Sequence, residues 1–136
     1  MTAGYSGRPL AGKLGLKPGQ RAWRSGMPAS VAAEIEEGMP GYSFAAEPEE
    51  GVELAHVFTA SRAELEAEIA RLRRLLDPAG TIWISWPKKA SKVPTDITED
   101  IVREIALPLG LVDVKVCAVD ETWSGLKLVI RKALRR

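Results

Sequence analysis

The chain is poor in the residues that most often carry chemistry. It has one cysteine, Cys117, and one histidine, His56. A single cysteine excludes an intramolecular disulfide and any metal centre built from several thiolates. A single histidine excludes two-histidine metal sites and any Ser-His-Asp arrangement with a histidine to spare. Neither sign of charge dominates: 19 basic and 18 acidic residues leave a net charge of +1. That argues against a general nucleic-acid binder, which shows a clear basic excess. A net value does not describe distribution, however, and a local patch stays open. The basic run Arg131-Lys132-Ala133-Leu134-Arg135-Arg136 is read as a solvated tail. No apolar run approaches the roughly 18 residues of a membrane span. The N-terminus also lacks the long apolar core of a secretory signal. A reducing cytoplasm is the expected location, and no membrane partner is expected.

What is present suits one domain. The chain has 136 residues, 46% of them hydrophobic, which is ample for a single core. Residues 1–19 are rich in glycine, proline and small side chains, and read as an N-terminal arm with one helical turn at 9–14. Residues 20–136 read as a single α/β domain. A weak strand is expected at 20–24, a short helix at 30–37, a short second strand at 42–45 and a strand at 53–59. The clearest helix begins at Ser61, where Ser61 and Glu64 form a capping-box pattern. Leu65, Ile69, Leu72 and Leu76 follow at helical spacing. Asp77-Pro78-Ala79-Gly80 should stop it. Residues 81–86 are apolar with almost no alternation, as in a central strand covered on both faces. Thr98 should cap a further helix striped by Ile101, Ile105 and Leu109. Strands at 111–119 and 125–131 are too close for a crossover and must form an antiparallel hairpin. Strand–helix alternation before that hairpin implies a mostly parallel sheet with right-handed crossovers, a Rossmann-like three-layer arrangement.

Two loops stand out, Ser85-Trp86-Pro87-Lys88-Lys89-Ala90-Ser91 and Asp120-Glu121-Thr122-Trp123-Ser124-Gly125. If the strands before them are parallel, both loops leave from the edge where open α/β sheets bind ligands. Lys88, Lys89 and Ser91 either hold an anionic group or form a solvated loop. Trp123 either lines a pocket or plugs the end of the sheet, the plug being favoured. Trp86 is ambiguous. Asp120 and Glu121 are adjacent on the chain and should point to opposite faces, so pairing with Lys88 or Lys89 is preferred to joint acid–base work. Arg24 and Ser25 follow the first strand and could join the site. Lys127, between Leu126 and Leu128, should face solvent. His56 should be a packed strand residue and Cys117 a small apolar one.

A sheet ending in a helix and a closing hairpin resembles class I methyltransferases, truncated here. Residues 71–89, RLRRLLDPAGTIWISWPKK, resemble their late helix and strand, with Ala79-Gly80 where Gly-Gly is usual. Leu16-Lys17-Pro18-Gly19 resembles the lead-in to their first strand. The resemblance breaks at the cofactor loop. That family has an acidic residue and a glycine-rich loop for S-adenosylmethionine, where this chain has Arg24-Ser25-Gly26-Met27-Pro28. Glu47 is the one candidate for a ribose-binding acid. The motifs at 3–19, 85–96 and 109–129 also resemble a bacterial domain-of-unknown-function family, numbered three thousand and fifty-two. That resemblance implies a shortened Rossmann-like domain and carries no activity with it. The reading is therefore a non-catalytic domain with no cofactor, binding an anionic small molecule or a protein partner at Arg24, Ser25, Trp86, Lys88, Lys89, Ser91, Asp120, Glu121 and Trp123. A minimal transferase using a nucleotide-like cofactor and a homodimeric interaction module are the alternatives.

Overall fold

A computed structural model describes residues 9–135. The chain runs through α1 (Leu10–Leu14), β1 (Ala22–Ser25), α2 (Ala29–Gly38), β2 (Val52–Phe58), α3 (Arg62–Leu75), β3 (Leu76–Pro87), α4 (Glu99–Ala106), β4 (Leu111–Ala118) and β5 (Trp123–Ile130). The five strands form one sheet in the order β1-β2-β3-β5-β4. β1, β2 and β3 are mutually parallel, β5 runs against β3, and β4 closes the hairpin against β5. The sheet is therefore mixed rather than mostly parallel, with two parallel and two antiparallel ladders. The expected hairpin supplies the antiparallel half.

The central strand explains the two cores. Along β3, Ile82, Trp83 and Ile84 are each fully buried. Strand alternation sends the isoleucines to one face and the indole to the other. Ile82 and Ile84 join Leu65, Ile69 and Leu72 of α3 and Val102 and Ala106 of α4. Trp83 joins Leu10 and Leu14 of α1 and Val31 and Ile35 of α2. Its Nε1–H donates to the Leu14 carbonyl at 2.9 Å, so the part of residues 1–19 that carries α1 is seated in the core. Burying each large aliphatic side chain contributes roughly 1.5–3 kcal/mol.

The helix starts are set by their caps. Ser61 Oγ accepts from the Glu64 N–H at 3.2 Å. The Glu64 carboxylate does not complete the reciprocal bond to Ser61 but accepts from the Thr59 hydroxyl. Thr98 Oγ1 accepts from the Ile101 N–H at 3.2 Å, with Glu99 and Asp100 in the first turn, where the helix dipole favours acids. Arg103 Nε donates to Asp113 Oδ2 at 3.0 Å and ties α4 to the edge strand.

Three expectations are corrected. Residues 42–45 form no strand, only a single parallel bridge from Ala45 to Trp23; Pro40 and Pro48 flank the segment and limit what can pair. β3 starts at Leu76, not Thr81. The pairing passes from Val52–Leu76 to Leu54–Thr81, so the Asp77–Gly80 turn survives as an insertion inside the strand. Asp77 Oδ1 holds it by accepting from the Ala79 N–H at 2.9 Å. The buried stripe of α4 is Val102 and Ala106, with Ile105 and Leu109 only partly buried and packed at its flank.

Gly26 is the tightest point where β1 turns toward α2. Its φ is +68°, and a Cβ there would lie 2.4 Å from the Phe58 carbonyl oxygen. Gly19 has a similar φ of +78° but open space around it. Gly19→Ala should therefore cost only the backbone strain, about 1 kcal/mol, and Gly26→Ala clearly more, roughly 2–3 kcal/mol. Urea unfolding of the two variants checks this; equal losses would show that the carbonyl contact is not what demands glycine.

Candidate functional site

The carboxyl ends of β1, β2, β3 and β4 and the start of β5 share one edge of the sheet, a consequence of the strand directions. The two loops singled out in the sequence meet there. Pro87 pairs with Trp123, and the Lys88 N–H donates to the Thr122 carbonyl at 2.7 Å.

The side chains are distributed less simply than the loops. Trp86 is buried in the cluster under α3 and α4. Trp123 is half-buried against the other cluster, its ring edge-on to Phe58 at 5.3 Å. The two indoles thus lie on opposite faces of the sheet and do not form one wall. Asp120 Oδ1 accepts from both the Thr122 and Trp123 N–H groups at 2.8 Å. It shapes the hairpin turn rather than meeting a lysine. Glu121 is exposed. Ser91 Oγ donates to the Lys88 carbonyl at 2.6 Å and accepts from the Val93 N–H at 3.2 Å, folding the lysine loop through a 3-10 turn, Lys89–Ser91. Lys89 is exposed, and Lys92 adopts a left-handed φ of +63°. At the end of β1, Ser25 is half-buried and Arg24 exposed, the Arg24 guanidinium lying 4.5 Å from the centre of the Phe44 ring.

Sequence reasoning missed two features at this edge. One is a buried column behind Trp123. Phe58 stacks on His56 at 4.1 Å, and His56 Nε2 lies 2.8 Å from Ser85 Oγ. His56 Nδ1 is buried with no hydrogen-bond partner. Burial pushes the His56 pKa down to about 3, because the cation cannot be solvated there, so the ring is neutral. Spacing alone places His56 and Phe58 on one face, but Ser85 is recognisable only from the β2–β3 register. The other is the build of the Gly26 turn, a segment the sequence marks only as the place where the methyltransferase resemblance breaks. It leads into α2, whose N-cap Pro28 offers no side-chain cap and whose first turn holds no acid. The first N–H groups of a helix need partners and favour an anion.

Glu47 does not stand at this edge. With Trp23, Phe44, Glu49 and Glu50 it lines a cavity of about 200 Å³ along the outer side of β1. Cys117 packs against the α1–α2 cluster as expected. Burial raises its thiol pKa, while Lys13 and Lys115 pull it down. Among the described residues no cluster could hold a metal ion, and no helix is long and apolar enough to cross a membrane.

No protein-family model and no characterised relative matches the sequence. Solved structures do match the fold. A SAM-dependent methyltransferase from Aquifex aeolicus is 16% identical and superposes with a TM-score of 0.67, over 89% of this chain and 88% of that one. The magnesium protoporphyrin IX methyltransferase of Synechocystis, solved with bound SAM, is 14% identical, with a TM-score of 0.58 over 89% and 74%. A TehB-like SAM-dependent methyltransferase from Corynebacterium glutamicum is 11% identical, with a TM-score of 0.55 over 95% and 91%. The fold is methyltransferase-like. These matches correct the non-catalytic reading, which rested on the missing glycine-rich loop and catalytic motif and, in part, on the chain being shorter than the enzyme fold. A methyltransferase covered over 88% of its length removes the argument from length.

The depressed His56 pKa fixes the sign of a pH effect. An unfolded histidine gains its proton near 6.5, whereas the folded one resists until about 3. Stability is therefore full above about pH 6.5 and declines as the pH falls through that window, with a limiting slope of about 1.4 kcal/mol per pH unit from this residue. Urea unfolding from pH 7 to 4 should show the slope. The double variant His56→Leu/Ser85→Ala, which leaves no orphaned hydroxyl, should flatten it; an unchanged slope would assign it to other groups.

Proposed function

We propose that the chain binds an S-adenosyl cofactor at the carboxyl edge and is a minimal methyltransferase acting on an anionic acceptor. The observation that carries this reading is the β1–Gly26–α2 turn. It is a left-handed glycine pressed against the end of β2, opening onto an uncapped helix N-terminus, at the ligand-binding edge of a methyltransferase-like sheet.

The residues present fit part of such a group. The first N–H groups of α2 and the Ser25 hydroxyl suit its carboxylate end. Gly26 lets the turn press against the Phe58 carbonyl, and Met27 lies next in the turn. The acid expected at the strand end is Arg24 here, so no carboxylate from that position faces the cofactor. When bound, the group supplies an electrophilic methyl carbon. The chain's own residues would bind and orient: Trp123 over Phe58 keeps water from one side, and exposed Lys89 and Lys92 draw an anionic acceptor. In this reading residues 20–136 form one truncated, three-layer Rossmann-like domain, with the described part of the arm, 9–19, folded onto it. The motifs at 3–19, 85–96 and 109–129 support membership of the bacterial domain-of-unknown-function family they resemble. A lone, half-buried cysteine fits a cytoplasmic protein.

A thermal-shift titration with S-adenosylmethionine and S-adenosylhomocysteine tests the reading. Either ligand at 100 times its dissociation constant stabilises the fold by about 2.7 kcal/mol. At about 3 °C per kcal/mol for a domain of this size, Tm rises by roughly 8 °C. A flat response to both compounds, at millimolar concentration, rejects the cofactor assignment.

One observation favours a second reading, self-association along β4. This edge strand leaves Val114 53% and Val116 49% exposed, and open sheet edges recruit partners. Sedimentation should then give a concentration-dependent mass that Val116→Lys abolishes; a monomer at all concentrations rejects it.

A further inference from the structure

A cavity of about 550 Å³ opens at the amino edge of the sheet, opposite the loops discussed above. Gly15, Lys17 and Gly19, on the connection from α1 to β1, form its roof. Thr81 of β3 and Lys127 of β5 line its floor, and Glu53 and Asp77 stand at its side. Its size falls in the range of about 300–1,000 Å³ usual for small-molecule sites.

The charges lining it are unequally partnered. Both acids are occupied. Glu53 Oε1 accepts from the Arg21 N–H at 2.8 Å and lies 3.8 Å from Arg21 Nε. Asp77 accepts from the Ala79 N–H and lies 3.9 Å from Arg21 Nη2. The ammonium groups of Lys17 and Lys127 form no ion pair among the described residues. Lys127 was expected to face solvent; instead it is half-buried. It sits directly across the ladder from Trp83 on one side and Lys115 on the other. Directly opposed pairs share a face, and like charges there are destabilising. Lys115 Nζ turns toward the Lys13 carbonyl at 3.4 Å and relieves only part of that repulsion. Lys127 therefore stands beside a buried indole without an ion-paired acid among the described residues.

We propose that this cavity is a second binding site, for a phosphoryl group carried by a small molecule. A phosphoryl dianion neutralises two lysines at once and offers several acceptors, which Lys17, Lys127, the Thr81 hydroxyl and the open backbone at Gly19 can meet. The roof glycines have left-handed φ values of +74° and +78°, with no atom where a side chain would be, so a ligand can approach the backbone. Glu53 and Asp77 at the mouth disfavour a polyanionic strand running through it. The site lies at the other edge from the cofactor reading and does not depend on it.

Titration with inorganic phosphate and pyrophosphate, at ionic strength held constant with chloride, tests this. The readout is the amide resonances of Gly15, Gly19 and Thr81 in wild type, Lys17→Gln and Lys127→Gln, with Arg74→Gln, on the exposed side of α3, as the control. Saturable shifts are expected in wild type and the control. Dissociation constants should be at least tenfold weaker in both cavity variants. Each variant's thermal melt is compared first, and exposed Lys17 serves where the half-buried Lys127 variant fails to fold. Non-saturating shifts, or equal affinity in wild type and the cavity variants, would overturn the site. Tighter binding of a single-stranded oligonucleotide than of pyrophosphate would overturn the small-molecule assignment.

Discussion

The indole N–H of Trp83 has one acceptor, the carbonyl of Leu14, 2.9 Å away. Trp83 is wholly buried on the central strand, and a buried donor left unpaired costs roughly 1–3 kcal/mol. That requirement seats α1 across the sheet. Leu10 and Leu14 then close the core on the α2 side, and the connection from α1 into β1 must run over the amino ends of the strands. The cavity there is roofed by that connection, so its existence follows from where one indole finds its acceptor.

The second organising constraint is the reversal of direction at β3. Parallel partners on one side and an antiparallel one on the other bring four strand ends and one strand start to a single edge. The reversal also explains why the edge is not one pocket. Trp86 lies on β3 and Trp123 opens β5, one position out of register, so alternation sends their rings to opposite faces. One ring closes the α3–α4 core. The other, with Phe58 and His56, caps the opposite face. What is left exposed between them is mostly backbone and charged side chains, Lys89, Lys92 and Glu121 among them.

Much of this was legible in the residues. The Ser61 cap, the Leu65-Ile69-Leu72 stripe, the two-sided burial of residues 82–84 and the closing hairpin each follow from a local pattern with a single physical reading. The meeting of the two loops followed from strand direction. The failures were of another kind. The stripe on α4 was misplaced because both Ile101 and Val102 offer a plausible apolar line, and only packing against β4 and β5 decides between them. Residues 42–45 have strand composition but too little room between prolines to pair beyond one bridge. Lys127 was read from alternation alone, which cannot show that the face opposite the leucines is covered by the α1–β1 connection. The His56–Ser85 contact joins residues on different strands, so no spacing within either segment reveals it. The non-catalytic reading failed because the missing glycine-rich loop, the missing catalytic motif and the short chain were weighed more heavily than the methyltransferase-like order of elements.

The seat of α1 also bears on how the molecule is made. Leu14 bonds to a residue 69 positions later, and Lys13 Nζ reaches the Ala118 carbonyl, 105 positions on. Contacts so distant along the chain close late, because the intervening loop entropy must be overcome before they contribute. On a ribosome, α1 emerges before every strand it packs against and cannot complete its seat until β3 has been synthesised. Its two leucines wait uncovered while the rest of the sheet assembles. A helix made early is thus housed late, and until it is, the nascent protein carries a greasy tag that a chaperone can hold.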